Sequence, residues 1–134
     1  MFSATFRYAL IGLLEIVSSE AGLNGTDIAR RHSISTTYMA NVLSELKRLG
    51  IVHSRKGRYG GYTLSCLLDE INLLALHQGL AGSHFAPEQE PTTPVERWLW
   101  QLEARWQAEL AATTLSDLQR FAVDQPAALP SLGS

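Results

Sequence analysis

Apolar residues recur at helical spacing at the start of the chain. Five of them lie on one side of a predicted helix over residues 4–20: Phe6, Leu10, Leu13, Leu14 and Val17. Ala9, Ile11 and Ile16 widen this surface, so we expect more than one face of the helix to be covered. The stretch AGLNG then breaks the pattern and ends the helix.

A short second helix is predicted over residues 25–32. Asn24 has the side chain of a typical N-cap, and Asp27 places an acidic group in the first turn. Ile28 and Ala29 are the residues that this helix turns inward.

A third helix is predicted over residues 36–49, about four residues further on. Ser35 fits its N-cap, and Gly50 fits its C-terminal stop. Its apolar stripe consists of Met39, Val42, Leu43, Leu46 and Leu49. Two short helices at this spacing predict a helix-turn-helix, although the pattern by itself equally fits an ordinary helical hairpin.

A β-hairpin is predicted directly after these helices. The stretches IVHSR (51–55) and YTLSC (62–66) are rich in strand formers. The residues between them are Lys56, Gly57, Arg58, Tyr59, Gly60 and Gly61. Glycines supply positive φ angles where strands reverse, and cations at the tip can contact phosphates, so this hairpin is expected to be a DNA-binding wing. No phosphate-loop motif occurs here.

Three helices and a loop are predicted after the hairpin, and the longest of these helices is amphipathic. Asn72 can cap a helix over residues 73–81, and residues 82–94 contain prolines and turn formers that predict a loop. The long helix follows over residues 95–112. A short last helix begins at Thr114 and continues through Phe121, and the tail, 122–134, is expected to be flexible.

The long helix carries two apolar lines on different sides. One consists of Val95, Leu99, Leu102, Trp106 and Leu110, widened by Trp98; the other consists of Trp100, Ala104, Ala108 and Ala111. Such a helix is covered on two faces. Both faces could pack within the chain, but so small a protein offers little else to cover the second, which favours a homodimer.

Composition and charge narrow the function further. The 134 residues are 46% hydrophobic, and no apolar run is long enough to cross a bilayer. Arg7 and Glu15 interrupt the faintly signal-like N-terminus, so a cytoplasmic protein is expected. Residues 1–62 carry eight Lys/Arg against four Asp/Glu, or +4, and residues 63–134 carry three against nine, or −6. The basic half suits a polyanion such as double-stranded DNA.

The order of these motifs resembles the Rrf-two family of winged-helix regulators, which IscR, NsrR and CymR typify. The matching stretches are FRYAL, DIARRHSISTTYMANVLSELKRLGIV, GRYGGYTL, INLL and LWQLEARWQAELAATTLSDL, and the resemblance covers residues 1–121. The resemblance implies a mainly α fold with a small β-hairpin wing. A winged helix-turn-helix domain (1–81) is followed by a loop (82–94) and a dimerisation region (95–121).

The resemblance also implies which residues bind DNA and which form the dimer. The expected base-reading residues are Ser35, Thr36, Thr37, Tyr38 and Asn41, with core packing an equal alternative for Tyr38. The expected wing contacts are Lys56, Arg58 and Tyr59, and the expected backbone contacts are Arg7 and Tyr8. The expected dimer interface consists of Val95, Trp98, Leu99, Trp100, Leu102, Ala104, Trp106 and Ala108.

The chain departs from the cluster-binding members of this family. Those members carry three cysteines in the loop and the start of the long helix, where this chain has none; its single cysteine is Cys66. We therefore expect no cofactor and no metal. His84 is expected to be a loop residue and His77 a surface or partly packed one. In the wing, Tyr59 replaces the first of the family's usual three glycines.

The sequence thus favours a homodimeric, sequence-specific DNA-binding regulator acting on a roughly palindromic operator. A winged-helix module for protein–protein interaction is the alternative from another class, and the basic wing argues against it. Control by a small molecule, a partner protein or Cys66 oxidation stays open. No pairing of a nucleophile with a base suggests an enzyme.

Overall fold

Helices make up most of the chain in the computed structural model, which describes residues 2–19, 23–56, 60–80 and 90–125. In chain order the elements are α1 (Ala4–Ser18), α2 (Gly25–Arg31), α3 (Thr36–Arg48), β1 (Val52–Arg55), β2 (Gly61–Leu64), a 3₁₀ turn (Leu68–Glu70), α4 (Leu73–Gly79), α5 (Pro94–Ala111) and α6 (Leu115–Val123). A β-hairpin thus follows a helix-turn-helix, and a long helix follows both. This order confirms the predicted fold class.

Side-chain caps begin the helices where the sequence predicts them. The side-chain oxygen of Asn24 accepts a hydrogen bond from the Asp27 backbone N–H (2.8 Å), and Ser35 and Asn72 cap α3 and α4 in the same way. Two predicted helix starts are wrong. Thr93 is the N-cap of α5, so Pro94 belongs to the helix rather than the loop. Thr114 is likewise the N-cap of α6, not its first residue.

The C-terminal helix also ends later than predicted. It continues to Val123, and the Asp124 backbone N–H still donates to the Arg120 carbonyl (3.3 Å). The predicted tail therefore does not begin at residue 122. Residues 126–134 of that tail, and residues 82–89 of the predicted loop, lie outside the described part of the chain.

The core forms where α1 crosses α3. Ala9, Gly12, Leu13 and Ile16 are buried in α1, whereas Leu10, Leu14 and Val17 of the predicted stripe are only partly buried. A Cβ built on Gly12 would lie 3.6 Å from the sulfur of Met39, so a small residue lets the two helices approach closely. The buried residues of α3 are as predicted: Met39, Val42, Leu43 and Leu46.

The hairpin is extended by a segment that the sequence pattern does not reveal. β1 and β2 pair antiparallel from Val52 opposite Leu64 to Arg55 opposite Gly61. Leu23 adds an isolated bridge, in which its carbonyl accepts from the Tyr62 backbone N–H (2.8 Å). Gly61 has φ +141°, and a Cβ on it would lie 2.7 Å from the carbonyl carbon of Leu23. This glycine therefore allows a close backbone approach beside the hairpin, in addition to its unusual φ.

His77 is buried, contrary to the expectation of a surface or partly packed residue. Its ring lies 4.8 Å from that of Phe6 and 5.3 Å from that of Trp106, measured between centroids, and Phe2 packs on the same group. These contacts join α1, α4 and α5, and burial lowers the pKa of His77. The neutral imidazole therefore packs here as one more aromatic ring.

Both helices of the helix-turn-helix end in the same backbone motif. After α3, the Gly50 and Ile51 N–H groups donate to the Lys47 and Leu46 carbonyls, the pattern of a Schellman C-cap, with Gly50 at φ +77°. After α2, the equivalent position is Ser33, at φ +54°. A residue with a Cβ is strained in this left-handed region, so the turn between α2 and α3 carries a local cost.

We expect Ser33→Gly to raise the free energy of unfolding by about 0.5–1 kcal/mol, because strain relief exceeds the added entropy of the unfolded chain. Urea unfolding measures the change. Ser44→Gly is the matched control: it makes the same exchange on the exposed side of α3 and should lower stability by about 0.5 kcal/mol. Equal destabilisation by both variants would contradict the strain at Ser33.

Candidate nucleic-acid interface

The N-cap and first two turns of α3 present uncharged hydrogen-bonding groups to solvent. Ser35, Thr36, Thr37 and Asn41 are all exposed, and the first turn contains no acidic residue. The Ser35 hydroxyl oxygen accepts from the Tyr38 backbone N–H (3.3 Å), which leaves its own proton available to donate. Thr37 and Asn41 are one helical turn apart and share a face. The surface can therefore offer donors and acceptors in a fixed arrangement.

Tyr38 differs from these neighbours because it is half-buried. Its hydroxyl oxygen lies 3.1 Å from Oγ1 of Thr5, and its ring meets the Tyr8 ring edge-on at a centroid distance of 5.4 Å. Tyr8 is half-buried too, whereas Arg7 beside it on α1 is exposed. The two tyrosines predicted to bind DNA, Tyr8 and Tyr38, thus pack against each other. Tyr38 also contacts Thr5, a residue that no sequence pattern identified.

The cations near the helix-turn-helix fall into two groups. Arg31 donates to Glu15 (2.7 Å), and Arg48 donates to Glu45 (2.6 Å) and to the Gly79 carbonyl (2.9 Å). Within the described ranges, five other cations of the basic half form no ion pair: Arg7, Arg30, Lys47, Arg55 and Lys56. The first group holds elements of the fold together, and the second is available to bind phosphate.

Glu15 links α1 to the C-terminal end of α2. His32 Nε2 lies 2.9 Å from one carboxylate oxygen, and Arg31 Nη1 donates to the other. Burial opposes ionisation of this carboxyl, but the hydrogen bonds from His32 and Arg31 outweigh it and lower the pKa of Glu15. The charged carboxylate therefore holds the turn that precedes α3.

The described part of the wing adds cations at the end of β1. Lys56 is exposed directly after β1; Arg58 and Tyr59 lie outside the described residues. Arg55, the last residue of β1, is also exposed and is absent from the residues predicted to bind DNA. Strand alternation could have identified it, since Arg55 shares the outer face of the hairpin with His53.

The outer face of the hairpin holds His53 in a fixed orientation. Its Nδ1 lies 2.9 Å from the Ser65 hydroxyl and its Nε2 lies 2.8 Å from the Thr63 hydroxyl, both on the facing strand or just beyond it. At the other side of β1, Lys47 of α3 approaches the Ser54 hydroxyl at 3.4 Å. The Lys47 contact joins the hairpin to α3.

Among the described residues, the hydrogen bonds that join α5 to the start of α4 lie at the C-terminal end of α5. The Leu73 N–H donates to the Thr113 carbonyl (3.0 Å), and the Asn72 side chain donates to the Ala111 carbonyl (2.7 Å). Leu102 and Trp106 are half-buried against the rest of the chain. The remaining residues of the predicted interface are exposed: Val95 (67%), Trp98 (58%), Leu99 (50%), Trp100 (43%), Ala104 and Ala108.

The described residues offer no metal site and no membrane-spanning helix. No group of three His, Cys, Asp or Glu side chains is placed there to hold a metal ion. No helix in these ranges is both long enough and apolar enough to cross a membrane. Cys66 is half-buried, and burial together with Glu70 raises the pKa of its thiol. The thiol form, which reacts slowly, therefore predominates.

A helix-turn-helix followed by a β-hairpin and a long helix defines the winged helix-turn-helix class. The chain belongs to the Rrf2 family, whose model, described as an iron-dependent transcriptional regulator, matches residues 2–120. This confirms the family predicted from the sequence motifs. The protein is therefore a transcriptional regulator of the Rrf2 family.

Individual relatives agree with this assignment. CymR of Bacillus subtilis is 30% identical over 119 residues, which cover 86% of each chain. Its structure superposes with a TM-score of 0.77 over 90% of this chain and 97% of that chain. A T. potens IscR structure, 21% identical, shares the fold with a TM-score of 0.75 over 96% and 93% of the two chains. Escherichia coli IscR is 40% identical over 60 residues, which are 43% of this chain and only 37% of that protein.

We expect substitutions in α3 and in the wing to affect DNA binding differently. Asn41→Ala should cost about 1–3 kcal/mol on a specific site only, because a helix residue can align its amide with a base edge. Lys56→Ala should weaken binding to specific and random duplexes alike and lower the salt slope by about one, since the role predicted for Lys56 is a phosphate contact. Titrations of both DNAs over a salt series measure these effects.

Arg120→Ala is the control for charge alone, because it removes an exposed cation from α6, outside the helix-turn-helix and the hairpin. Arg120→Ala should change the affinity neither for the specific site nor for the random duplex. A loss of discrimination in Lys56→Ala, with discrimination kept in Asn41→Ala, would reverse the two roles.

Proposed function

We propose that this regulator is a homodimer that binds a roughly palindromic operator in double-stranded DNA without an iron–sulfur cluster. The observation that carries the proposal is the exposed, uncharged first turn of α3 near cations that form no ion pair in the described ranges. Ion pairs engage other cations, Arg31 and Arg48, within the chain. Arg7 and Lys56 are among those left to bind the DNA backbone.

Each part of this surface has a chemical role in the proposal. Thr36, Thr37 and Asn41 contact base edges; an asparagine amide can pair with adenine through two hydrogen bonds. The first backbone N–H groups of α3 have no carbonyl partner within the helix, and they favour a phosphate at its N-terminus. Arg58 and Tyr59 of the wing extend the contact to the neighbouring backbone or minor groove.

The dimer is supported by the exposed apolar residues of α5. Val95 and Trp98 are more than half exposed near the start of the helix. A second line starts at Trp100 and continues with the small residues Ala104 and Ala108. Small side chains let a second helix approach closely, and the tryptophans contribute large apolar areas to bury. A twofold axis between two copies of the domain predicts an operator with matching twofold symmetry.

The residues present do not fit the iron that the family description implies. Iron–sulfur clusters are held mainly by thiolates, and the sequence has one cysteine, Cys66, just after β2. Its raised pKa also opposes the thiolate form that binds metal. The proposal therefore includes no step through iron. It also gives no support to Cys66 oxidation as the controlling signal.

Protein purified without oxygen is expected to be colourless, because it lacks the thiolates that would ligate a cluster. Iron and acid-labile sulfide are the quantities to measure. Stoichiometric iron with a visible absorption band would refute this part of the proposal, whereas trace iron removed by a chelator without loss of DNA binding agrees with it.

The dimer and the operator are tested together with a double variant, Trp100→Glu with Ala104→Glu. Wild-type protein should sediment as a dimer at micromolar concentration and select an inverted repeat from a pool of random duplexes. The variant should sediment as a monomer and lose specific binding, because two carboxylates cannot be buried in an apolar interface.

Arg105→Glu controls for charge, since it adds the same two units of negative charge at an exposed position of α5 outside the apolar lines. It should still dimerise. Sedimentation of the wild type as a monomer would overturn the dimer, and failure to enrich any sequence would overturn specific DNA binding.

A further inference from the structure

The Thr5 side chain of α1 forms a polar contact with the first turn of α3. Within the described ranges, its Oγ1 lies 3.1 Å from the Tyr38 hydroxyl oxygen, and the contact is partly buried. The Tyr8 ring lies edge-on against the ring of Tyr38 at 5.4 Å and holds it from the side. Tyr38 is therefore restrained at its tip by a hydrogen bond and along its ring by an aromatic contact.

The same two helices also approach each other closely further along α1. A Cβ built on Gly12 would lie 3.6 Å from the Met39 sulfur, and Met39 is the residue next to Tyr38. Thr5 and Gly12 are seven residues apart, which is about 10 Å along a helix axis. The Thr5–Tyr38 hydrogen bond and the close approach at Gly12, at this separation, together oppose rotation of the first turn of α3 across α1. The apolar approach alone is not directional.

Rotation of α3 matters more for base readout than for phosphate binding. Thr37 precedes Tyr38 directly, and Asn41 follows it by three residues, so both turn with it. Hydrogen bonds to base edges weaken steeply when donor and acceptor are misaligned. Attraction between a cation and a phosphate depends mainly on distance. A small rotation of α3 should thus lower specificity before it lowers general affinity.

We propose that Thr5 is a positioning residue for sequence recognition, which fixes the angle of α3 through the Tyr38 hydroxyl so that Thr37 and Asn41 meet the base edges. The inference rests on the DNA-binding function proposed above. In this proposal the Tyr38 hydroxyl bonds Thr5 of α1 and does not touch the operator. The competing role is a direct hydrogen bond from the Tyr38 hydroxyl to DNA. The two roles predict different effects of substituting Thr5.

The test uses three single variants and one double variant of the full chain. Thr5→Val removes the hydroxyl at nearly constant shape, Thr5→Ser keeps it, and Tyr38→Phe removes the other partner of the bond. The double variant combines Thr5→Val with Tyr38→Phe. Dissociation constants are measured for the selected inverted repeat and for a random duplex over a salt series, at a temperature where urea unfolding shows every variant fully folded.

We expect Thr5→Val and Tyr38→Phe each to raise the operator dissociation constant about 2–13-fold, the range that corresponds to one net hydrogen bond. The random-duplex constant and the salt slope should stay at wild-type values. The double variant should be no weaker than either single variant, because both remove the same bond. Thr5→Ser should restore operator binding to within about twofold of wild type, because the serine hydroxyl can form the same bond.

Three results would overturn the inference. If Tyr38→Phe weakens operator binding and Thr5→Val does not, the Tyr38 hydroxyl contacts DNA directly. Equal losses on operator and random DNA, in proportion to lost stability, would show a structural role only. A wild-type protein with no sequence preference would overturn the proposed function and this inference with it, whereas the first two results leave the proposed function intact.

Discussion

Close packing around α1 is the constraint on which the other elements depend. The middle of the helix buries the small residues Ala9 and Gly12, and Gly12 lies against Met39 of α3 closely enough that a Cβ would be 3.6 Å from its sulfur. Its N-terminal end joins the aromatic group formed with Phe2, His77 and Trp106, which brings in α4 and α5. Through Glu15 it also holds the end of α2. Burying one large side chain of such a core contributes about 1.5–3 kcal/mol, so the central helix holds much of the fold together.

Electrostatics then separates residues that hold the fold from residues that are available to a ligand. Arg31 and Arg48 have carboxylate partners within the chain, and Glu15 has its pKa lowered by such a contact. Exposed ion pairs of this kind add little to stability. Their greater effect is to set the direction of the segments they join, here the turn that precedes α3. The cations without such partners in the described ranges are engaged by no carboxylate there and are available to an external anion.

The long helix presents the opposite situation to α1. Its C-terminal half is tied to α4 by backbone and Asn72 hydrogen bonds, and Trp106 packs on the aromatic group around His77. Its N-terminal half leaves Val95, Trp98 and Leu99 largely exposed. Apolar surface of this extent is rarely left uncovered in a stable monomer, which is the physical ground for the proposed dimer. Because Phe6 and Trp106 both contact His77, α1 and the proposed dimer helix α5 pack on the same aromatic group. Thr5, the residue that contacts Tyr38, belongs to this same α1.

Local sequence determined the elements of this protein, because caps, apolar periodicity and glycine stops act within a few residues of one another. Asn24, Ser35 and Gly50 marked helix ends correctly, and the stripe of α3 identified its buried side. The motif order likewise identified the family, and with it the exposed first turn of α3 as the candidate site. Only the tertiary structure decided which partners those elements meet. The bridge of Leu23 to Tyr62, the burial of His77 and the contact of Thr5 with Tyr38 each join residues more than thirty positions apart or on different elements. No periodicity or spacing encodes such pairs, since they arise only when helices pack at a particular distance and angle.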